Sequence, residues 1–260
     1  MQKTKPIFTI HGVSTGGLQE NTGYSRKPAQ ALAVHAQGLG AFDFRFTEGL
    51  WADLAERFAG QLSPVELKEL GLLGDLADYA IDVVTYQGTC RDKILRRLRD
   101  RMERTGPGTV VLAHSLGTVI TMDIVIQYLR EGLIHPDRPR STWPISSILT
   151  LGSPLGIDVP YASGIGFMDR ARTLEGLAFL AGRSDCFEGF WVNLHDKDDP
   201  VTTGSLLGSH SAAVRLADFE GYARLGVYDR EVNVGFHLLG HTQYWGSPIV
   251  AQYLFDMVTL

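Results

Sequence analysis

Residues 109–130 read TVVLAHSLGTVITMDIVIQYLR, and the change of pattern within this stretch decides the fold. The first residues form a continuous apolar run, which is typical of a strand buried on both faces of a sheet. Ser115 follows at once, and an apolar helical pattern occupies residues 118–130. The stretch therefore predicts a buried strand, a tight turn that carries a serine, and a buried helix.

The predicted turn has the residues that a nucleophilic serine needs. Small residues are required beside such a serine because strand and helix backbones come close together, and Ala113 and Gly117 meet that requirement. The backbone N–H of Leu116, at the start of the helix, can donate to a developing oxyanion. The alternative interpretation is that Ser115 only caps an ordinary helix.

Similar apolar runs alternate with helical patterns along the rest of the chain. Strands are predicted at residues 6–10, 41–46, 109–113, 145–151, 190–194 and 227–234, and helices at residues 28–37, 91–104, 118–130 and 243–257. Strands that alternate with helices predict βαβ units and a parallel sheet covered on both faces. We therefore expect an α/β fold, a three-layer α/β/α sandwich with a mostly parallel central sheet of about six strands.

Composition excludes several classes of protein. The chain has 260 residues, 44% of them hydrophobic and 20% charged, which is ordinary globular usage. The formal net charge is −5 without a basic stripe, which argues against a nucleic-acid partner. No stretch approaches the roughly 18 apolar residues of a membrane span, and the amino-terminal apolar run is too short for a signal peptide. The two cysteines, Cys90 and Cys186, lie far apart and do not suggest a disulfide framework. We expect a cytoplasmic protein without metal or cofactor.

Two segments, residues 50–86 and 156–189, are longer than a simple strand–helix connection requires. Both carry apolar helical patterns, and the second includes Phe167 and Met168. Insertions of this size in a compact domain commonly act as lids or binding loops. We expect one domain over residues 1–260 with two cap or lid insertions. The alternative is a helical hairpin that only packs its own apolar face.

The AHSLG turn after the VVLA strand resembles the nucleophile elbow of the α/β-hydrolases, with Ala113 where glycine is usual. A second motif, His11-Gly12, follows the first predicted strand. In that superfamily such a pair forms the oxyanion loop, and the next residue supplies an N–H donor. The resemblance therefore implies an oxyanion hole made by the backbone N–H groups of Val13 and Leu116.

The same resemblance assigns supporting roles and a branch of the superfamily. His11, Gly12, His114 and Gly117 are expected to support the site. The resemblance points to the compact lipase-like and esterase-like branch, in which the two strands that precede the HG motif in larger members are not expected. Ser153, in the lipase-like segment GSPL, is interpreted as a turn residue, with pocket lining as the alternative.

Ser14 competes with Ser115 on pattern alone. Residues 12–16 read GVSTG, which matches G-x-S-x-G more literally than AHSLG does. The residues that follow are polar and glycine-rich, so no apolar helix completes the strand–turn–helix context. Ser14 is therefore predicted to be a loop residue at the pocket entrance.

A serine nucleophile needs an adjacent base, and the base needs an orienting group. In the α/β-hydrolases the chain order is serine, acid, histidine. His241 stands in GHTQYW, directly before the last helical pattern, where the resemblance places the base. His237, four residues upstream, is the alternative and is interpreted as a packed structural histidine.

The acid is sought in NLHDKDDPV, residues 193–201, after the fifth predicted strand. The resemblance places it before a Pro-Val pair, which selects Asp199. Asp196 and Asp198 remain open, because a loop can turn any of three neighbouring carboxylates inward. Asp158, after the preceding strand, is a more remote alternative.

Neither of two metal-site patterns fits these residues. A calcium loop from Asp196 needs glycine at its sixth and glutamate at its twelfth position, where Val201 and Leu207 stand. A zinc site from His237 and His241 lacks the glutamate of the H-E-x-x-H pattern.

Together the motifs predict a serine hydrolase that cleaves a carboxylic ester through an acyl-enzyme on Ser115. Its partner is expected to be a small acyl ester. Phe167 and Met168 are assigned to an acyl pocket, so lipid or lysophospholipid esters form a subset, with peripheral lipid contact. A thioesterase or acyltransferase would use the same triad, and a catalytically silent hydrolase-fold binding protein is the alternative from another class.

Overall fold

A computed structural model of the chain describes residues 2–12, 23–51, 53–54, 86, 90–156, 179–180, 191–196, 199, 227–234 and 240–260. Most of the two predicted insertions therefore lie outside the described residues. The same holds for ten residues named above: Val13, Ser14, Asp158, Phe167, Met168, Cys186, Asp198, Val201, Leu207 and His237.

The described strands form a six-stranded sheet and a separate two-stranded sheet. They are β1 (Gln2–Lys3), β2 (Ile7–Ile10), β3 (Phe42–Asp43), β4 (Phe46–Glu48), β5 (Thr109–His114), β6 (Ile145–Leu151), β7 (Trp191–His195) and β8 (Val227–Glu231). The large sheet has the order β4-β2-β5-β6-β7-β8, with every pair parallel. The apolar run that opens the decisive stretch is β5, which is buried throughout and paired on both sides.

The predicted strand at residues 41–46 is replaced by two short strands. Gln2–Lys3 pairs with Phe42–Asp43, and Ile7 pairs with Phe46, so the register shifts by one residue between the two ladders. An extra residue on one strand of a pair bends it and interrupts the ladder, which is the physical reason for the break.

The α-helices of the described residues are α1 (Arg26–His35), α2 (Arg91–Thr105), α3 (Leu116–Arg130), α4 (Gly240–Gln243) and α5 (Pro248–Thr259). The predicted helix at residues 243–257 begins later, at Pro248, because proline lacks an N–H and favours the first helical position. Residues 244–246 form a 3₁₀ turn before it. None of the helices in the described ranges has the length and apolar character that a membrane crossing requires.

Two hydrophobic clusters cover the two faces of the sheet. Successive strand residues point to opposite faces, and β5 divides accordingly: Val111 and Ala113 join one cluster, Val110 and Leu112 the other. The first cluster includes the buried side chains of α2 and α3, and the second those of α1 and α5. The described residues thus form an α/β/α sandwich around a parallel sheet. The predicted α/β fold, a three-layer sandwich with a mostly parallel sheet of about six strands, is confirmed.

Candidate active site

Ser115 lies between β5 and α3 in a backbone conformation that is rare for serine. Its φ is 55° and its ψ −130°, and among the described residues no other non-glycine has a positive φ. Its N–H donates to the Leu151 carbonyl (3.0 Å), and its carbonyl accepts from the Thr118 hydroxyl (2.7 Å). Strained backbone persists only where its surroundings hold it, and such residues cluster at functional sites.

Two glycines bring the end of β2 against this turn. A Cβ on Gly12 would overlap the Ser115 side chain, at 2.8 Å from Oγ. A Cβ on Gly117 would lie 2.5 Å from the Ile10 carbonyl oxygen and 2.7 Å from that of His11. The His11-Gly12 segment and the first turn of α3 therefore touch without intervening side chains.

Asp199 and His241 form a hydrogen-bonded pair. The Nδ1 atom of His241 lies 2.9 Å from Oδ2 and 3.1 Å from Oδ1 of Asp199. The carboxylate is fully buried. Because an ionised carboxylate only accepts hydrogen bonds, Nδ1 carries the proton and Nε2 is left with its lone pair. This is the tautomer that a general base needs.

Tyr244 supports the carboxylate and was missed by the sequence reasoning. Its hydroxyl donates to Asp199 Oδ2 (3.0 Å) and accepts from the N–H of Asp196 (2.8 Å). Burial, and then the neighbouring Asp199, raise the pKa of this hydroxyl, so it remains a donor. The available signal was its place three residues after His241, on the same face of a helical turn.

Asp196 is turned towards a different partner. Its Oδ2 accepts from the N–H of Val234 (2.8 Å). Of the acids that the sequence left open, Asp199 is the one in contact with His241 in the described part of the chain.

Gly152 joins the acid–base pair to the serine turn. It directly follows Leu151, whose carbonyl binds the Ser115 N–H. A Cβ on Gly152 would lie 2.9 Å from the Tyr244 ring, 3.0 Å from Asp199 Oδ2 and 3.1 Å from His241 Nδ1. Its φ of 55° also favours glycine. Asp199 and His241 therefore pack against the end of β6, one residue after Leu151, whose carbonyl oxygen binds the Ser115 N–H.

Two of the buried polar atoms that have no hydrogen-bond partner within the described structure belong to the serine and the base. They are Oγ of Ser115 and Nε2 of His241. Leaving a buried polar atom unpaired costs about 1–3 kcal/mol, so such atoms in a folded protein call for an explanation. A hydroxyl donor and an imidazole acceptor, both unpaired, are what a nucleophile and its base contribute.

Two further histidines near Ser115 are uncharged at neutral pH. Burial, and then repulsion from His241, lower the pKa of His114 to about 3. Burial also lowers the pKa of His11 to about 4. The His11 ring is stacked on Trp51 with centroids 5.2 Å apart, and Tyr24 meets its edge at 4.9 Å.

The remaining predicted residues have structural contacts. The Ser153 hydroxyl is bonded to that of Thr118 (2.7 Å) and accepts from the Leu155 N–H (3.3 Å). Leu116 is buried as the first residue of α3. Among the described side chains, no group of three or more His, Cys, Asp or Glu is placed to hold a metal ion.

The solved structures named below are distant from this chain in sequence. No protein-family model matches the sequence, and no curated protein matches it significantly. The ydeN gene product from B. subtilis is similar in structure, with 17% identity, 98% of each chain covered and a TM-score of 0.39. Another similar structure, described with the metagenome-derived lipolytic enzymes LipS and LipT, has 11% identity, a TM-score of 0.37 and coverage of 98% of this chain and 94% of the other.

A third similar structure is phospholipase PlaB from Legionella pneumophila in complex with thio-NAD. The identity is 15% and the TM-score 0.38, over 74% of this chain. The chain spans 38% of the length of that phospholipase. Likenesses at this level do not identify an activity.

Proposed function

We propose that this protein is a serine hydrolase that cleaves carboxylic esters through an acyl-enzyme on Ser115. The contact between His241 Nδ1 and the buried Asp199 carboxylate carries the proposal. It leaves Nε2 of His241 without a hydrogen-bond partner, and Ser115, whose Oγ is also unpaired, lies in a strained strand–helix turn. Few structural roles require a buried carboxylate, an oriented imidazole and such a serine together.

In the proposed acylation, His241 Nε2 accepts the proton of the Ser115 hydroxyl as Oγ attacks the ester carbonyl. The Oγ–C bond forms and negative charge moves to the carbonyl oxygen. The N–H groups of Leu116 and Val13 are proposed to donate to that oxyanion. The tetrahedral intermediate then collapses, the C–O bond to the alcohol breaks, and the alcohol takes the proton from His241.

In the proposed deacylation, a water molecule gives its proton to His241 and attacks the acyl carbon. Collapse of this second intermediate returns the proton to Ser115 and releases the carboxylic acid. Asp199 stays ionised throughout and stabilises the imidazolium. Tyr244 holds the carboxylate in place by donating to Oδ2.

The proposed substrates include lipid and lysophospholipid esters, with Ser14, Phe167 and Met168 near the acyl chain. Esters and thioesters of graded chain length test this subset, because the preferred length reports the depth of the pocket. A preference for the longer acyl chains is expected. A preference for acetyl esters would contradict the lipid assignment and leave the ester hydrolase in place.

The central test is covalent labelling with a fluorophosphonate probe, which reacts with an activated serine. The wild-type protein should label at Ser115, as located by mass spectrometry of the modified peptide. Ser115→Ala should abolish labelling while its circular dichroism and thermal unfolding stay close to wild type. Ser146→Ala is a matched control, since Ser146 sits near the start of β6 and its hydroxyl donates to the Gly108 carbonyl. Labelling that persists in Ser115→Ala, or a wild-type protein that never labels, would contradict the proposal.

A further inference from the structure

His114 connects the serine turn to the base through the main chain. It is the last residue of β5, directly before Ser115. Its Nε2 atom lies 2.5 Å from the main-chain carbonyl oxygen of His241. The two imidazole rings have centroids 4.5 Å apart at an interplanar angle of 37°. One residue therefore touches the nucleophile through a peptide bond and the base through a hydrogen bond.

This contact fixes the tautomer of His114. A carbonyl oxygen can only accept a hydrogen bond, so Nε2 of His114 must carry the proton. The neutral ring then has its proton on Nε2, whereas His241, which donates from Nδ1 to Asp199, has it on Nδ1. The two rings are thus held in opposite tautomers by two different acceptors.

The accepting carbonyl belongs to a very short helix. A helix leaves its last four carbonyls without intrahelical partners, and α4 has four residues in all. Holding such a turn in place requires donors from elsewhere in the fold. The His114 imidazole supplies one, and it is itself buried with 5% of its surface exposed.

The groups that face the His114 ring come from several elements. His241, Tyr244 and Trp245 lie against it, with Tyr244 and Trp245 centroids at 5.9 and 5.3 Å. The Asp199 carboxylate favours a charged His114, and His11 and His241 disfavour it. Burial is the largest influence and keeps the ring neutral, so that its single donor stays on the carbonyl.

We propose that His114 is a positioning residue, which holds the main chain of His241 at a fixed place relative to Ser115. The proposal rests on the proposed function, because it concerns the distance between the nucleophile and its base. Asp199 orients the ring of His241, and His114 sets the position of its backbone. Losing the donor lets α4 shift away from the serine, and a misplacement of about 1 Å can cost roughly 100-fold in rate.

Two substitutions separate the hydrogen bond from ring packing. His114→Gln keeps an N–H donor near the place of Nε2 and removes the ring. His114→Phe keeps a ring of similar size and removes the donor. With a p-nitrophenyl ester and a fluorophosphonate probe, we expect His114→Phe to lower kcat and the labelling rate by about 10- to 100-fold, with little change in KM. His114→Gln should stay within about fivefold of wild type.

A packing role predicts the reverse order, and this makes the comparison decisive. If His114 only fills space, the apolar Phe ring should be tolerated and the polar Gln side chain should be the more damaging. Thermal unfolding of both variants shows whether each one folds. A folded His114→Phe protein with wild-type kcat would overturn the proposal.

A measurement on the wild-type protein is independent of its activity. In a sample labelled with ¹⁵N-histidine, His114 should show a slowly exchanging proton on Nε2, assigned by its loss in His114→Gln. A proton on Nδ1 in a protein that labels at Ser115 would overturn the positioning role alone. Failure of the wild-type protein to label would instead overturn the proposed function.

Discussion

The carboxylate of Asp199 determines which nitrogen of His241 carries the proton, and so which one is left as the proposed base. An amide at residue 199 can present its NH₂ group to Nδ1, which favours the tautomer with the proton on Nε2. That imidazole cannot accept the Ser115 proton. We therefore expect Asp199→Asn to lower kcat by about 10⁴-fold without preventing folding. Steady-state ester hydrolysis measures the effect.

Asp198→Asn is the control for Asp199→Asn, since the sequence left both carboxylates open as the acid. It should retain most of the wild-type kcat. The reverse ranking of the two variants would show that Asp198 is the orienting acid.

Gly152 allows a second prediction, since it combines a positive φ with close contacts to the acid–base pair. A Cβ at this residue would press on Tyr244, Asp199 and His241 at 2.9–3.1 Å. Gly132 has a similar φ of 68° and nothing within 4 Å of its Cβ position. Both alanine variants should lose about 1–2 kcal/mol from backbone strain. Gly152→Ala should also lose about tenfold or more in kcat.

The difference in kcat between Gly152→Ala and Gly132→Ala separates the effect of crowding at the acid–base pair from the effect of backbone strain. Urea unfolding gives the free energy of unfolding for each variant, and ester hydrolysis gives kcat. Equal kcat values for Gly152→Ala and Gly132→Ala would contradict the inference that a Cβ at residue 152 displaces Asp199 and His241.

The sequence proposes Ser115 and His241 with few alternatives because their local context is distinctive. Ser115 stands between an apolar strand and an apolar helix, and His241 precedes the last helix. The acid stayed open, because three aspartates within four positions have the same chemistry and only the path of the loop separates them. Tyr244 and Gly152 were missed because their roles depend on contacts between β6, β7 and the segment after β8, which no local pattern encodes.

At the scale of elements, α2 is fastened to α3 by a partly buried charge cluster. Arg91 binds Asp123 through two nitrogens at 2.6 and 2.9 Å, and the Tyr86 hydroxyl binds the same carboxylate at 2.5 Å. Removing one partner of a buried ion pair leaves the other charge buried without a counter-charge. Asp123→Ala should therefore cost about 3 kcal/mol of unfolding free energy.

A surface pair between the same helices provides the matched control for Asp123→Ala. Arg99 binds Glu131, whose side chain is 45% exposed, through two nitrogens at 2.6 Å each. Exposed pairs contribute about 0–1 kcal/mol, so Glu131→Ala should be nearly neutral. Urea unfolding of both variants measures the difference. Similar losses in the two variants would contradict the importance of burial at Asp123.

The sequence predicts helices and strands well where burial of one or both faces imposes an apolar pattern. The four buried residues Ile94, Leu95, Leu98 and Met102 form the inner face of α2, and this spacing is visible in the sequence. The boundaries that differed depend on backbone geometry instead. The register shift between β1–β3 and β2–β4, and the proline that begins α5, change where an element starts without changing its apolar pattern.

At the scale of the whole molecule, one edge of the sheet collects residues that are far apart in the chain. Parallel strands end at the same edge, and ligand sites of open α/β sheets lie there. The ends of β2, β5, β6 and β7 supply His11-Gly12, Ser115, Gly152 and Asp199, and α4 supplies His241. A site of this kind exists only while the sheet is intact, so its geometry and the stability of the fold depend on the same contacts.

The buried neutral histidines at this edge make the stability of the whole molecule depend on pH. His11 and His114 have pKa values lowered by burial to about 4 and about 3, whereas an unfolded histidine titrates near 6.5. Above about pH 6.5 both states are neutral and nothing is lost. Below about pH 6.5 the two histidines bind protons in the unfolded chain but not in the folded protein. The free energy of unfolding therefore falls with pH until the pKa values of the folded protein are reached.

Each of these two histidines contributes a slope of about 1.4 kcal/mol per pH unit between about pH 6 and pH 4. Near the lower end Glu48, whose pKa is lowered by its bonds to Ser25 and Gly23 against the opposing effect of burial, adds a loss of the same sign. Urea unfolding at pH 7, 6 and 5 measures the slope. His11→Phe should reduce the slope by about half, because only one of the two buried neutral histidines remains. A free energy of unfolding that stays level from pH 7 to pH 5 would contradict this prediction, because it would mean that both imidazoles take up protons in the folded protein as readily as in the unfolded chain.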